Sequence, residues 1–177
     1  RPSAILTELV ARQKAGHAAG LTSVCSAHPT VLEAACAHAC ATTRPVLVES
    51  TCNQVNHRGG YTGLTPHDFA AYARRIAATA GLPVERLVLG GDHLGPSPWQ
   101  ELPAQVALSE ALLLVAAYVQ SGYTKIHLDA SMRLGGDSDP LPLELAAART
   151  ADLAAAAEAN RPAGASAPVY VIGTEVP

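Results

Sequence analysis

Short apolar runs alternate along this chain with longer stretches whose apolar positions return at helical spacing. The short runs predict strands over Ser23–Ala27, Pro45–Ser50, Arg86–Gly90, Lys125–Asp129 and Val169–Thr174. The longer stretches predict helices between them. Thr30 and Glu33 have capping-box spacing and open a helix that runs to about Ala41. Thr65-Pro66-His67-Asp68 marks a second start, with Thr as cap, Pro in the first position and Asp three residues after the cap. Phe69, Tyr72, Ala73, Ile76, Ala77 and Ala80 share one face of that helix, and Gly81 ends it. Pro103 opens a third helix, with Ala107, Leu108, Ala111, Val115 and Tyr118 at helical spacing before Gly122. Leu143 to Glu158 forms a fourth, rich in alanine.

Strands separated by helices favour a parallel sheet, so the expected class is α/β. The polar Arg161–Pro168 stretch fits a loop, and residues 1–177 are expected to lie in one domain without an internal boundary. Within a strand, successive side chains point to opposite faces. Ile126 and Leu128 therefore face covering helices, while Lys125, His127 and Asp129 face the other way. Val46 and Val48 likewise oppose Leu47 and Glu49.

Every predicted strand ends in polar residues. Ser26 and His28 follow the first, and Glu49, Cys52, Asn53 and Gln54 end or follow the second. Gly90-Gly91-Asp92-His93 ends the third, His127 and Asp129 the fourth, Thr174 and Glu175 the fifth. Barrel enzymes carry their working residues at this end of the strands. An open doubly wound sheet shares that placement but usually has a Gly-rich phosphate turn after its first strand. Cys25-Ser26-Ala27-His28-Pro29 has no such turn, which favours the barrel.

Composition narrows the function classes. Hydrophobic residues make up 49% and charged residues 15%, which fits a well-buried fold and excludes a disordered one. The net charge of -3 and the lack of a basic cluster argue against a nucleic-acid partner. The longest apolar run, Ala111–Val119, is too short to span a bilayer, and no signal peptide opens the chain, so a cytoplasmic location is expected. Cys25, Cys36, Cys40 and Cys52 form no CxxC pair and are expected to be small buried thiols rather than disulfide partners or metal ligands. There is no GxxxxGK[ST], GxSxG or HExxH, which disfavours a P-loop kinase, an α/β-hydrolase and a zincin.

Among the strand-end residues, Asp92 and His93 offer a proton-transfer group beside a metal ligand. Asp129 and Glu175 offer hard oxygen donors for a cation, or else partners for Lys125, Arg133 or backbone amides. Ser26, His28, Glu49, Asn53 and His127 are candidates for substrate contact, with a hydrogen-bonded core histidine as the alternative for His127. His17, His38 and His67 are expected to be solvated. The Asn53–Thr62 loop, with His57, Arg58, Gly59, Gly60 and Tyr61, is either a lid or subunit contact or a connector. Trp99 is expected to pack.

Six ordered stretches carry a resemblance. They are Ser23-Val24-Cys25-Ser26-Ala27-His28-Pro29, Glu49-Ser50-Thr51-Cys52-Asn53-Gln54-Val55-Asn56, Gly60-Tyr61-Thr62-Gly63-Leu64-Thr65-Pro66, Gly90-Gly91-Asp92-His93-Leu94-Gly95-Pro96, Lys125-Ile126-His127-Leu128-Asp129-Ala130-Ser131-Met132 and Ile172-Gly173-Thr174-Glu175-Val176-Pro177. Together they resemble the GatZ/KbaZ family, the non-catalytic subunits of D-tagatose-1,6-bisphosphate aldolase. That family is related to the zinc-dependent class II aldolases. In those enzymes an Asp-His pair ends the third strand, with the Asp moving a proton and the His binding zinc. Asp92 and His93 match the pair. Leu128-Asp129-Ala130-Ser131 resembles the motif ending their fourth strand, and Gly173-Thr174-Glu175-Val176-Pro177 more loosely the fifth, which places Asp129 and Glu175 near a cation.

The resemblance implies the N-terminal five β/α units of a (β/α)8 TIM barrel, truncated before the later strands that supply two further zinc histidines and the phosphate loops. A Zn2+ site drawn from those motifs is incomplete in this chain. The implied partner is the catalytic tagatose-bisphosphate aldolase subunit, whose activity and stability this chain supports in galactitol, N-acetylgalactosamine or tagatose catabolism. A sugar phosphate is a further expected ligand. The alternative is a zinc-dependent ketose-bisphosphate aldolase in its own right. A kinase role is disfavoured.

Overall fold

A computed structural model describes residues 2–173. Five strands, β1 (Ser23–Cys25), β2 (Val46–Thr51), β3 (Leu87–Leu94), β4 (Lys125–Leu128) and β5 (Val169–Ile172), form one sheet in the order β1-β2-β3-β4-β5. Every neighbouring pair is parallel. The order never reverses, so the described strands lack the switch point of a doubly wound sheet and have the topology of the first five units of a (β/α)8 barrel. Thr174 and Glu175 lie outside the described residues.

The crossovers are α2 (Pro29–Ala41), α3 (Pro66–Thr79), α4 (Ala104–Gln120) and α5 (Leu143–Ala159). A first helix, α1 (Pro2–Lys14), precedes β1 and was not anticipated, although Ile5, Leu6, Leu9 and Val10 carry its spacing. The capping box expected at α3 is formed: the Thr65 hydroxyl accepts from the Asp68 amide and the Asp68 carboxylate accepts from the Thr65 amide. The one expected at Thr30 and Glu33 is not. Pro29, with its preset φ, already stands in the first turn of α2, so the cap falls on His28, whose side chain makes no capping bond.

Strand alternation sorts the core into two parts. Val46, Val48, Leu87, Leu89, Ile126 and Leu128 join the main cluster under α2, α3, α4 and α5, where Phe69, Leu114, Tyr118 and Leu153 are fully buried. On the opposite, concave face Leu47 and Val88 pack with Leu6 of α1 in a smaller cluster. Helix α1 thus closes the amino end of the concave face, and the polar inward-facing residues stand above that apolar floor. Of the cysteines, Cys36 and Cys52 are buried as expected, Cys40 is half-buried and Cys25 is exposed; none is paired. Among the described residues no helix is long and apolar enough to cross a membrane.

Candidate functional site

The polar inward-facing residues form one connected network that rises from Ser23 and Lys125, at the starts of β1 and β4, to the carboxyl ends of β3 and β4. Glu49, almost fully buried, contacts the Ser23 hydroxyl on one side and the Lys125 ammonium on the other. Lys125 Nζ also lies 3.4 Å from Asp92 Oδ1, and His127 Nδ1 lies 3.1 Å from the same oxygen. The His93 ring lies against that of His127, tilted by 53° with ring centroids 4.1 Å apart. Its Nδ1 is 3.0 Å from Asp129 Oδ2, while Asp129 Oδ1 accepts from the amide and hydroxyl of Ser131. Three carboxylates therefore face one lysine and two imidazoles, which offsets the large penalty that any of these charges would pay alone in this setting.

Local backbone explains why Asp92 and His93 meet. Consecutive strand residues normally face opposite sides of a sheet. Between Gly91 and Leu94 the β3–β4 register shifts, so that three steps along β3 match two along β4 from Ile126 to Leu128. His93 adopts φ +46, in the left-handed region. This β-bulge turns the His93 ring to the same side as Asp92, a common use of bulges beside functional sites. Simple alternation would have sent His93 outward.

The protonation pattern follows from these contacts. The hydrogen bond from His127, helped by Lys125 and His93 and opposed by partial burial, holds the Asp92 carboxyl well below the usual carboxylate range. Burial pushes Asp129 up, but the Ser131 hydroxyl, His93 and the Ser131 amide outweigh it and the net displacement is downward. Cys25 keeps exposed surface, yet loss of hydration at its sulfur and then the Asp92 and Glu49 carboxylates push its thiol up to about 12. It is no nucleophile at neutral pH.

Asp92, His93 and His127 each bring one donor atom within 4.8 Å of the others, a group that could hold a metal ion. Two imidazoles and a carboxylate suit a borderline divalent cation. Each imidazole has its Nδ1 against a carboxylate, the arrangement that fixes tautomer and ring orientation in metal sites. The residues fit the group. The group includes His127, expected as a substrate contact or a hydrogen-bonded core histidine, and Asp129, expected as a cation ligand or an ion-pair partner, bonds to His93 and Ser131.

The remaining candidates divide. Glu49 belongs to the network. Ser26 accepts from the His28 amide, His28 caps α2 and is exposed, and Asn53 is exposed with its carbonyl accepting from the Tyr61 amide. Among the described residues none of these three has a side chain joined to the network. Lys125 faces this side, as alternation predicts, but its pairing with Glu49 across Gly90 depends on strand register and carries no signal in the sequence. The Asn53–Thr62 loop is tied down by Asn56, Thr62 and the bonds of His57 and Arg58 to Glu110. Trp99 packs on the core and against His57. His17, His38 and His67 are exposed. A cavity of about 660 Å³ lies at the other end of the sheet, bounded by Leu9, Arg12, Thr22, Arg44 and Arg86. It shares no residue with the network, and chemistry rather than size places the candidate site at the carboxyl ends.

Comparison with known proteins agrees with this fold. The crystal structure of a probable tagatose 6 phosphate kinase from Sinorhizobium meliloti 1021 superposes with a TM-score of 0.83 at 51% identity, covering 88% of this chain and 39% of that one. The D-tagatose 6-phosphate 4-epimerase of Agrobacterium fabrum is 54% identical over 176 residues, 99% of this chain and 41% of that protein. The D-tagatose-1,6-bisphosphate aldolase subunit GatZ of Klebsiella pneumoniae is 49% identical over 97% of this chain and 41% of its own length, and that of Shigella flexneri is 52% identical over 96% and 40%. The chain thus spans about 41% of the length of such relatives. A family model described as D-tagatose-1,6-bisphosphate aldolase subunit GatZ/KbaZ-like matches residues 6–177, and the chain belongs to that family.

Proposed function

We propose that this chain is part of a non-catalytic D-tagatose-1,6-bisphosphate aldolase subunit. It binds the catalytic subunit in the cytoplasm and supports its activity and stability in galactitol, N-acetylgalactosamine or tagatose catabolism. The observation that carries the reading is the family match over residues 6–177, with GatZ relatives at 49–52% identity. The electrostatics support it. A general base works best with a pKa near the working pH, whereas Asp92 is held far below that by His127 and Lys125 of its own chain. Such a carboxylate serves a structural ion-pair network well and abstracts protons poorly.

A second reading has its own support in the Asp92, His93 and His127 group. Here the full-length protein performs carbon–carbon bond chemistry itself. A bound Zn2+ would supply polarisation of a sugar carbonyl oxygen. His93 and His127, with Asp92, would hold the ion, Asp129 would keep the His93 tautomer, and the Glu49–Lys125 pair would form the floor beneath the sugar phosphate. This chemistry suits an aldolase. It also suits a 4-epimerase, because inversion at C4 of a 2-ketose is reached by breaking and re-forming the C3–C4 bond that the aldolase breaks. The half-buried Ser26 and the exposed His28 and Asn53 remain candidate contacts, as does Glu175, which lies outside the described residues.

The test is to express the full-length protein alone and with its catalytic partner. Cleavage of tagatose 1,6-bisphosphate and 4-epimerisation of tagatose 6-phosphate are then assayed with and without zinc. The first reading expects cleavage only with the partner, unchanged in Asp92→Asn and His93→Ala. Strong activity of the protein alone, abolished by either substitution, establishes the second reading and removes the first.

A further inference from the structure

Gly90 stands in register with Glu49 on one side and Lys125 on the other. A side chain at position 90 would meet the Glu49 carboxylate at 2.7 Å and Leu47 at 3.0 Å. The missing side chain is what lets Glu49 of β2 and Lys125 of β4 pair across the intervening strand. The resulting ammonium is mostly buried and has a second contact, Asp92 Oδ1. His127 Nδ1 meets that same oxygen. Both contacts thus converge on Oδ1, and among the described residues no Lys, Arg or His nitrogen is paired with Oδ2.

From this we infer that Lys125 is the positioning residue of the cluster, acting through Asp92. Anchored from below by Glu49, it fixes the rotation of the Asp92 carboxylate. One oxygen is committed to receive the His127 Nδ1–H, and the carboxylate also accepts from the Cys25 thiol. The other ring nitrogen of His127, Nε2, lies 3.4 Å from the Gly173 carbonyl oxygen, so a cation taken up at Nε2 has to displace that contact. Lys125 sits a layer below the ligands and touches neither imidazole, so its effect on them passes through one carboxylate. The consequence for metal binding rests on the second reading above; the positioning itself does not.

The obvious variant, Lys125→Met, strands Glu49 as a buried unpaired charge and risks misfolding. The informative variant is Lys125→Met/Glu49→Gln. It removes the ion pair without changing net charge, keeps a hydrogen-bonding group for Ser23 and fills the lysine stem with an apolar chain of similar length. Two readouts are needed. The metal-free protein, labelled with 15N-histidine, reports the His127 tautomer by NMR; titration with Co(II) against a chelator reports affinity and, through the visible spectrum, coordination geometry. The wild type is expected to show His127 protonated at Nδ1, the double variant a mixture of tautomers with about tenfold weaker Co(II) binding and an altered spectrum. Lys125→Arg, which keeps a donor on Oδ1, is expected to retain the wild-type tautomer. An unchanged His127 pattern in the double variant overturns the inference, whatever Co(II) does. A changed pattern in a protein whose wild type binds no Co(II) upholds the positioning role and removes the cation reading alone.

Discussion

His93 Nδ1 lies 3.0 Å from Asp129 Oδ2, joining a residue at the bulge of β3 to the residue just past the end of β4. The contact depends on a third position. Gly95 approaches so closely that a Cβ there would stand 1.7 Å from the Asp129 carbonyl oxygen. The Asp129 amide in turn donates to the Leu94 carbonyl. Backbone packing, rather than side-chain choice alone, therefore sets where the Asp129 carboxylate sits and which nitrogen of His93 carries its proton.

Replacing Asp129 by Asn is expected to lower divalent-metal affinity about ten- to hundredfold. Asp129 accepts from Ser131 on one oxygen and from His93 on the other. An amide has one acceptor oxygen, so either Ser131 or His93 faces an NH2 group. The Ser131 side offers two donors, so the amide nitrogen turns to His93, which relieves the clash by moving its proton to Nε2. Chelator competition with Co(II) checks this, and wild-type affinity in the variant would contradict it.

Gly95→Ala is expected to destabilise the protein by about 3 kcal/mol, the upper range for overpacking, because the obstacle is backbone and not a flexible side-chain tip. Gly20→Ala, where nothing stands within 4 Å, is the control and is expected to change stability by less than about 0.5 kcal/mol. Urea midpoints measure both.

The parts of this architecture written in local sequence were legible. Alternation placed Leu47 and Glu49 opposite Val46 and Val48, and Lys125 and His127 opposite Ile126 and Leu128, as the clusters show. What stayed hidden depended on partners distant in sequence. The outward-to-inward turn of His93 comes from a register shift against β4, which no periodicity within β3 announces. The Glu49–Lys125 pair spans a strand and is permitted by Gly90. The capping motifs show the same division. Spacing alone nominated both Thr30 and Thr65, but Pro29 moved the start of α2 ahead of Thr30, whereas at α3 the proline follows its threonine.

Those two threonines give a paired prediction. Thr65→Ala removes a cap whose hydroxyl accepts from the Asp68 amide and is expected to cost about 1 kcal/mol. Thr30→Ala, inside the first turn of α2 where no side chain caps, is expected to stay within about 0.5 kcal/mol of the wild type. Equal losses in urea unfolding would place the α2 cap at Thr30 after all.

The loop that follows β4 is held by a buried pair, and its pH response carries a definite sign. Arg149 donates to both Asp137 oxygens at 2.7 Å, and both side chains are largely buried. Asp137 Oδ2 also accepts from the Leu134 amide, while the neighbouring Gly135 amide bonds to the Gln100 and Leu102 carbonyls. The pair thus fastens this loop to α5 and to the approach to α4. The Arg149 hydrogen bonds, then the Leu134 amide, hold the Asp137 carboxyl below its ordinary value despite burial. A depressed folded-state value means that the stabilisation is complete above the unfolded value of about 3.9 and is lost as pH falls through the lower one. Arg149→Met leaves a buried carboxylate without its partner and is expected to cost about 3–5 kcal/mol at pH 7, whereas Arg149→Met/Asp137→Leu recovers most of that. Because the single variant no longer has a depressed Asp137, its stability falls less than that of the wild type between pH 6 and pH 3, by about the pair's share of the acid limb. Urea unfolding at these pH values decides the matter: parallel acid limbs in wild type and Arg149→Met would mean that solvent, and not Arg149, holds the Asp137 charge.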